Sequence, residues 1–359
     1  MEIKTAIYAA ILTGSLAFLT YFGSSCGSSK DLPTPEKQTL REAVFPFGGA
    51  ISPEFLKNDT QYRELAAREF SSITAEYVMK MTAISRGKDV YDFAAADEII
   101  DFARKNKMRV HGHTLVWYRE TPEWLKNYTG TREDFIMLLE KYIKAVAGHF
   151  KGKVVSWDVV NEALLDDGSI RIEENIWYQK IGLEYIEIAF RAAHKADPDA
   201  LLFYNEYGQE YSKVKSDAVN KLMDELIEKR VPIHGIGLQM HTNANINDLQ
   251  LKQAVRDAGA KGLKVHISEL DVQTNMENNS DYVFTEESAL KQKEVYRWAT
   301  EAMMELPANQ RFGITFWGVT DQYSWRWLYE GIPDKVLPFS EKYEHKPGYE
   351  GILEGLKEK

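Results

Sequence analysis

The sequence contains very little cysteine. Cys26 is the only one among 359 residues, so no internal disulfide and no site built on several thiolates can form. The eight histidines show no HExxH motif or other spacing typical of metal ligands. Positive charge is also in deficit, since 44 lysines and arginines against 54 aspartates and glutamates give a net charge of −10. An acidic surface disfavours polyanions. We therefore predict no metal, no other cofactor and no nucleic-acid partner.

Long apolar runs are also missing, except near the N-terminus. Lys4 precedes an apolar stretch over residues 6–22, and small residues follow it up to residue 25. A charged start, an apolar segment and small residues are typical of an export signal, predicted here over residues 1–25. A membrane anchor is the alternative, but the stretch is at the short limit for spanning a bilayer.

Cys26 stands directly after this predicted signal. Its place resembles the lipid-attachment site of a bacterial lipoprotein, although Gly23 occupies a position where such signals usually carry leucine. Residues 26–41 are polar and contain proline, so they would serve as a tether. We predict an exported protein that is either secreted or held at the cell surface or in the periplasm through lipid on Cys26.

From about residue 42, short apolar runs alternate with helical patterns, and 44% of the chain is hydrophobic, which is ample for one large core. Strands that alternate with helices predict a parallel sheet with crossover helices. Eight such units fit a single (β/α)8 barrel over residues 42–359, which we expect to be monomeric. The eight candidate strands are Phe47–Ser52, Ser72–Glu76, Arg109–Trp117, Val154–Glu162, Leu201–Glu206, Gly235–His241, Lys264–Asp271 and Phe312–Thr320.

The candidate strands begin with apolar residues and finish in polar or aromatic ones. In a (β/α)8 barrel the C-terminal ends of the strands converge on one face, where active sites are built. Folding alone gives no reason for polar residues at all of these ends, so we predict an active site there. The residues at these ends are Glu76, His113, Trp117, Asn161, Glu162, Asn205, Glu206, Gln239, His241, Glu269, Asp271, Trp317 and Asp321.

Two strand ends carry glutamates whose surroundings suggest a pair. Glu162 lies in WDVVNEA and Glu269 in SELDV. A lone glutamate at a strand end is more often part of a surface ion pair, but Asn161 precedes one and Asp271 follows the other. Retaining hydrolysis of a glycosidic bond needs an acid for the leaving oxygen and a nucleophilic carboxylate about 5–5.5 Å away. Glutamates on opposite strands of a barrel can meet over its mouth in this way.

Taken together, the motifs resemble those of glycoside hydrolase family 10, the xylanases. The resemblance implies a retaining endo-β-1,4-xylanase that cleaves internal bonds of xylan through a covalent glycosyl-enzyme intermediate. It makes Glu162 the acid/base, Glu269 the nucleophile and Asn161 a ligand of the 2-hydroxyl of the reacting sugar. The motifs run in order between about residues 45 and 349: HTLVW (113–117), WDVVNEA (157–163), DGS with Arg171 (167–171), GLQMH (237–241), SELDV (268–272), WGVTD (317–321) and YSWR (323–326).

The chemistry of the two glutamates agrees with these roles. Formation of the covalent intermediate neutralises Glu269, which lowers the pKa of Glu162 when that group must turn from acid to base. By the resemblance, His241 donates to Glu269 and Asp271 fixes the imidazole. A histidine at a strand end is otherwise more often a structural residue.

The resemblance also predicts the substrate contacts. Glu76, Lys80 and His113 should bind sugar hydroxyls on the glycone side, and Trp317 and Trp325 should frame the reacting sugar. Outside this pattern a lysine is usually solvated and a tryptophan usually packs in the core. The complete set of predicted substrate contacts is Glu76, Tyr77, Lys80, His113, Trp117, Tyr118, Asn161, Gln239, Trp317, Trp325 and Arg326.

Several positions depart from the family pattern, mostly on the glycone side. A tyrosine in place of an amide exchanges hydrogen bonds for a stacking face. We therefore expect altered binding just beyond the cleaved sugar and a preference for longer, unusually linked or decorated chains. The alternative is that the tyrosines only repack a loop and leave specificity unchanged. The departures are Tyr77 for Asn, Met81 for Trp, Tyr118 for His, Glu120 for Gln, Glu206 for Asp and Gly208 for Asn.

Two other functions remain open from the sequence. Retaining β-glycanases that act on cellulose or mannan also place glutamates on the fourth and seventh strands, but they do not explain residues 113–117 and 321–326. A non-catalytic glycan-binding barrel is the second, and the intact carboxylates and their polar neighbours argue against it. Activity on purified xylan separates these hypotheses.

Overall fold

Eight parallel strands close into a barrel in the computed structural model, which describes residues 39–357. Each strand pairs with the next along the chain, and β8 pairs with β1 to close the barrel. This confirms the predicted (β/α)8 fold, while the predicted export signal and most of the tether lie outside the described residues. The strands are β1 (Phe47–Ile51), β2 (Ser72–Ala75), β3 (Arg109–Gly112), β4 (Ser156–Asn161), β5 (Leu201–Glu206), β6 (Gly235–Leu238), β7 (Lys264–Gln273) and β8 (Arg311–Phe316).

Eight helices alternate with these strands, and the last of them follows β8. They are α1 (Thr60–Glu69), α2 (Ala94–Lys105), α3 (Arg132–His149), α4 (Tyr185–Ala196), α5 (Lys213–Glu228), α6 (Asp248–Ala260), α7 (Glu286–Glu305) and α8 (Pro347–Gly355). Short helical segments occupy Leu40–Glu42, Pro53–Asn58, Met81–Ile84, Glu123–Lys126, Ile176–Ile181, Asp321–Tyr323 and Trp325–Leu328. Within residues 39–357, no helix combines the length and the apolar character needed to cross a bilayer.

Helices α1, α3, α5, α6 and α7 each follow a residue whose side chain accepts a hydrogen bond from a backbone amide of the first turn. At the start of α3, the Thr131 hydroxyl accepts from the Asp134 amide at 3.2 Å, and the Asp134 carboxylate accepts from the Thr131 amide at 2.8 Å. This reciprocal pair fixes the first turn. Phe135, Leu139 and Ile143 then follow at helical spacing on the buried face, so the helix packs against the sheet.

The interior of the barrel is filled by rings. His111, Phe203, His266 and Phe312 contact one another edge to face or tilted, with centroids 4.6–6.1 Å apart. Gly235 makes room for them, since a Cβ at this position would lie 2.1 Å from the Phe203 ring. The rings close the barrel below the strand ends and form a packed floor under the mouth.

All eight predicted strands are present, but several of their ends differ from the prediction. The run 109–117 is interrupted after Gly112, and Val116–Trp117 forms a separate short strand beside β4. The sixth strand stops at Leu238 because Met240 adopts a left-handed backbone (φ 60°). A short strand, His241–Asn243, then pairs with β7.

The start of the folded body also differs from the predicted boundary at residue 42. Leu40 is fully buried, and the Arg41 guanidinium donates to the carbonyls of Ala67 at 3.2 Å and Phe70 at 2.5 Å. Residues 39–41 were predicted to belong to the tether. They instead pack against the barrel, since an apolar side chain and a fixed guanidinium hold them there.

Candidate active site

A cleft of about 720 Å³ crosses the C-terminal ends of the strands. It brings both predicted catalytic glutamates to one place, together with most of the predicted substrate contacts. The residues that line it are Glu76, Tyr77, Lys80, His113, Trp117, Arg119, Glu120, Asn161, Glu162, Tyr207, Tyr211, Gln239, His241, Glu269, Trp317, Trp325, Tyr329 and Glu330.

Glu269, the predicted nucleophile, lies on β7 at the centre of the cleft and is held by His241. The distance between His241 Nε2 and Glu269 Oε2 is 3.2 Å, and that between His241 Nδ1 and Asp271 Oδ2 is 2.8 Å. Trp325 Nε1 donates to the same Asp271 oxygen at 2.6 Å. The three side chains predicted to form this unit are therefore in direct contact, and Trp325 is attached to it.

The electrostatics of this unit favour an ionised nucleophile. Burial raises the pKa of Glu269, but the charge of His113 and the hydrogen bond from His241 outweigh burial and leave this pKa below its usual value. Burial also opposes protonation of His241, yet Asp271 and Glu269 raise the pKa of His241 well above its usual value. A protonated imidazole can donate from both nitrogens, one to each carboxylate.

Asn205 connects the two halves of the site, which the sequence analysis did not foresee. Its Nδ2 donates to Glu269 Oε1 at 2.7 Å and to Asn161 Oδ1 at 2.8 Å. The Ser268 hydroxyl donates to Asn205 Oδ1 at 2.6 Å, which fixes the orientation of the amide. The residue was noted only as one of many polar strand ends, and its two partners could not be identified without the barrel register.

Glu162, the predicted acid/base, directly follows β4 and has a left-handed backbone (φ 57°). This conformation is uncommon outside glycine, and it turns the side chain toward the cleft. Its Oε1 accepts from Asn161 Nδ2 at 3.1 Å and from Gln239 Nε2 at 2.9 Å. A hydrogen-bonded path therefore runs from Glu162 through Asn161 and Asn205 to Glu269.

A further buried carboxylate, Glu206, supports the segment that follows Glu162. It accepts from the Tyr204 hydroxyl at 2.7 Å and the Leu164 amide at 3.1 Å, and Lys215 Nζ lies 3.1 Å away. Burial raises the pKa of Glu206 to about 7, although Lys215 opposes this shift. Glu206 stands where the family pattern has the shorter aspartate, and its carboxylate reaches the amide of Leu164, two residues after the acid/base.

His113 is positioned from inside the barrel by Asp158. One Asp158 oxygen lies 2.9 Å from His113 Nδ1 and 2.9 Å from His111 Nε2. Burial raises the pKa of Asp158, but the two histidines outweigh it and hold this pKa below its usual range. Asp158 is therefore a positioning residue that the motif WDVVNEA contained but whose partners its spacing did not reveal.

The predicted glycone end is formed by Glu76, Lys80 and aromatic rings. Lys80 Nζ lies 4.6 Å from the centroid of the Trp117 ring and 5.6 Å from that of Trp317. Burial raises the pKa of Glu76 to about 7 in spite of the charge of Lys80. Tyr77 also faces the cleft here. These side chains combine hydroxyl-binding groups with flat apolar faces, as sugar rings require.

Three residues lie elsewhere than the sequence analysis suggested. Tyr118 and Arg326, predicted substrate contacts, do not line the cleft. The Tyr118 ring stacks on Arg171, with the guanidinium carbon 4.0 Å from its centroid. Arg326 is buried and donates to Asn278 Oδ1 at 2.6 Å, which commits it to the loop after β7. Met81 is buried and likewise lies outside the cleft.

Several cleft residues were not predicted as substrate contacts. They follow strand ends by one to several residues or lie in the loop after β8, where no strong motif marks them. The only sequence signal that could have indicated some of them is the presence of tyrosines shortly after a predicted strand end. These residues are Arg119, Glu120, Tyr207, Tyr211, Tyr329 and Glu330. Within residues 39–357, no group of three or more His, Cys, Asp or Glu side chains is arranged to hold a metal ion.

Two buried, hydrogen-bonded carboxylates in an aromatic-lined cleft at the mouth of a (β/α)8 barrel define the site of a glycoside hydrolase. The sequence model of glycosyl hydrolase family 10 matches residues 37–355. The chain belongs to that family.

Individual relatives agree with this assignment. The chain is 38% identical to a β-1,4-xylanase of Dictyoglomus thermophilum over 349 residues, which cover 96% of each protein. It is 41% identical to endo-1,4-β-xylanase B of Thermotoga neapolitana, covering 85% of this chain and 86% of that one. The crystal structure of xylanase 10B from Thermotoga petrophila RKU-1 in complex with xylobiose superposes with a TM-score of 0.83. That protein is 38% identical, and the match covers 89% of this chain and 98% of that one.

Proposed function

We propose that this protein is a retaining endo-β-1,4-xylanase that hydrolyses internal bonds of xylan. The observation that carries the proposal is the hydrogen-bonded path that joins Glu162 to Glu269 across the cleft. Family membership and xylanase relatives that align over nearly the whole chain support the same substrate.

Each glutamate has surroundings suited to one role in double displacement. Glu269 is held ionised by His241, so it can attack the anomeric carbon and form a glycosyl ester. Glu162 gives its proton to the leaving oxygen and then accepts one from the water that releases the sugar. Asn161, whose Oδ1 and Nδ2 face Asn205 and Glu162, is placed to meet the 2-hydroxyl of the reacting sugar.

The stereochemistry of the product tests the mechanism. Two displacements at the anomeric carbon return the β-configuration, so proton NMR of the first products from xylan should show the β-anomer. Initial appearance of the α-anomer would overturn the proposed pair. A β-anomer formed from cellulose or mannan but not from xylan would keep the mechanism and overturn the substrate.

Azide rescue assigns the two roles separately. With an activated aryl xylobioside, Glu162→Ala should still form the glycosyl ester, and azide should release it as the β-glycosyl azide. Glu269→Ala cannot form the ester, so azide should enter directly from the opposite face and give the α-glycosyl azide. The reverse pattern of products would exchange the roles of the two residues.

We also propose that the protein is exported and that Cys26 carries lipid. The support is the N-terminal sequence alone, with Lys4, the apolar stretch 6–22 and the cysteine that follows. The wild-type protein should enter the membrane fraction and incorporate labelled fatty acid, and Cys26→Ala should lose both properties. Unlabelled wild-type protein in the soluble exported fraction would mean cleavage of a simple signal instead.

A further inference from the structure

Arg119 is an exposed cation in the wall of an otherwise acidic cleft. Glu76, Glu120, Glu162 and Glu269 line the same cleft. Lys80, the other lysine or arginine in the wall, is only 7% exposed and lies under the aromatic rings. Arg119 therefore contributes the positive charge that a ligand in the cleft would meet first.

The guanidinium of Arg119 is held in place by the departure from the family pattern at position 118. Arg119 Nε donates to the Tyr118 hydroxyl at 2.7 Å. The Tyr118 ring stacks on the guanidinium of Arg171. Arg171 is buried and donates to the carbonyls of Glu162 and Leu164, both at 3.2 Å. The chain of contacts fixes Arg119 relative to the backbone of the acid/base.

The two terminal nitrogens of Arg119 are uncommitted. Among residues 39–357, no hydrogen bond or ion pair engages them, although carboxylates are close by. Glu120 instead accepts from the Thr82 hydroxyl. The hydrogen bond with Tyr118 and the charge of Glu162 raise the pKa of Arg119 against the effect of partial burial. Arg119 thus presents two parallel N–H groups of fixed orientation, the arrangement that binds a carboxylate with two hydrogen bonds.

We propose that Arg119 binds the carboxylate of a uronic acid side group carried by the xylan chain, next to the acid/base. The inference rests on the proposed function, because the side group must arrive on a chain that occupies the cleft. A neutral xylan chain offers only hydroxyls and ring faces, and neither can form an ion pair with a guanidinium. A fixed guanidinium therefore makes this cleft selective for acidic decoration rather than merely tolerant of it.

A matched pair of substrates tests the proposal. One is glucuronoxylan, and the other is the same polymer after its carboxyl groups have been reduced to neutral hydroxymethyl groups. The ratio of kcat/KM on the native polymer to that on the reduced polymer measures recognition of the charge alone. In the wild type this ratio should be about five, which corresponds to about 1 kcal/mol of binding free energy for a partly exposed charge pair.

Arg119→Gln should bring the ratio close to one, and Arg119→Lys should keep part of it because the charge remains without the paired N–H groups. Arg86→Gln is the control, since Arg86 is exposed, lies 3.4 Å from Asp92 and is not in the cleft wall. It should leave the ratio at the wild-type value. Rising ionic strength should lower the ratio of the wild type and leave that of Arg119→Gln unchanged.

Two results would overturn the inference. One is a wild-type ratio of one, and the other is a loss in Arg119→Gln that is equal on both polymers, which would give Arg119 a structural role. Either result together with activity on the reduced polymer leaves the proposed function intact. Absence of activity on both polymers in the wild type would instead refute the proposed function.

Discussion

At the scale of single residues, Asn205 links the nucleophile Glu269 to Asn161, the neighbour of the acid/base. One amide group donates to Glu269 and to Asn161, and it is oriented by the Ser268 hydroxyl. A hydrogen bond donated to a carboxylate stabilises its charged form and lowers its pKa. Asn205 should therefore help to keep Glu269 ionised.

Asn205→Ala removes this donor, so the pKa of Glu269 should rise and the acid limb of the kcat/KM profile should move to higher pH. The fall in kcat/KM at the optimum should be roughly tenfold to a hundredfold, for a lost hydrogen bond to a charged group of about 1.5–3 kcal/mol. Asn309→Ala on the exposed surface is the control. An unshifted acid limb would mean that Asn205 only fills space.

Glu210 is a buried acid whose two carboxyl oxygens have no hydrogen-bond partner on another residue in the described part of the chain. Burial raises its pKa from 4.5 in the unfolded chain to about 7, although its own backbone N–H, His241 and Lys215 act in the opposite direction. Between these pH values the folded state binds more protons than the unfolded state. The free energy of unfolding therefore falls as pH rises from 4.5 through 7.

Glu210→Gln should remove this dependence. Relative to wild type, the variant should be more stable at pH 8 than at pH 5, by a difference of the order of 2 kcal/mol. Thermal unfolding of both proteins at the two pH values measures it, and Glu98→Gln on the exposed face of α2 is the control. If the wild type and Glu210→Gln differ in stability equally at both pH values, folding does not raise the pKa of Glu210.

At the scale of elements, the packing of β6 against β5 fixes the catalytic centre. Gly237 on β6 leaves space for the Asn205 side chain, since a Cβ at 237 would lie 2.1 Å from Asn205 Oδ1. The position of the Asn205 amide therefore depends on the absence of a side chain at position 237 of the neighbouring strand. A change in the packing of this strand pair should lower activity before it disrupts the fold.

Gly237→Ala should displace Asn205 and lower kcat by at least tenfold in a protein that retains its circular dichroism spectrum. Gly148→Ala provides the same substitution in α3, where a new Cβ would meet nothing within 4 Å. That control should keep full activity and gain up to about 1 kcal/mol in stability. Normal activity in Gly237→Ala would show that the strands can separate without moving Asn205.

The elements also show how far the sequence could predict the structure. All eight strands follow from alternation of apolar runs with helical patterns, because each must be buried on both faces. Their ends do not follow from that pattern, since the stop at Leu238 depends on a left-handed Met240. Motif resemblance placed Glu162 and Glu269 in one cleft, but it could not show that Arg326 is engaged by the loop after β7.

At the scale of the whole molecule, α8 completes the outer ring through close contact with α7. Gly348, Gly351 and Gly355 face α7, and a Cβ at 351 would lie 2.2 Å from the Lys293 carbonyl oxygen. The glycines allow the two helix backbones to approach closely. Because α8 covers the fully buried Tyr296, it belongs to the core and not to a dispensable tail.

Gly351→Leu should therefore push α8 away from α7 and cost more than about 3 kcal/mol, because overpacking here meets backbone and not a flexible side chain. Thermal unfolding should show a large fall in Tm. Gly262→Asn is the control, since position 262 has a left-handed backbone that asparagine tolerates and open space around it. A small fall in Tm for Gly351→Leu would mean that α8 can move outward without loss of stability.

The pairing of β1 with β8 also has a consequence for how the protein is made. Phe47 and Ile314 lie in register where the barrel closes, so one edge of β1 has no partner until β8 has been synthesised. A ribosome that delivers the chain N-terminus first must translate almost all of it before this seam can form. Until then the nascent chain holds an open sheet edge that chaperones can cover, and the cleft, whose walls include Glu76 after β2 and Trp317 after β8, is incomplete.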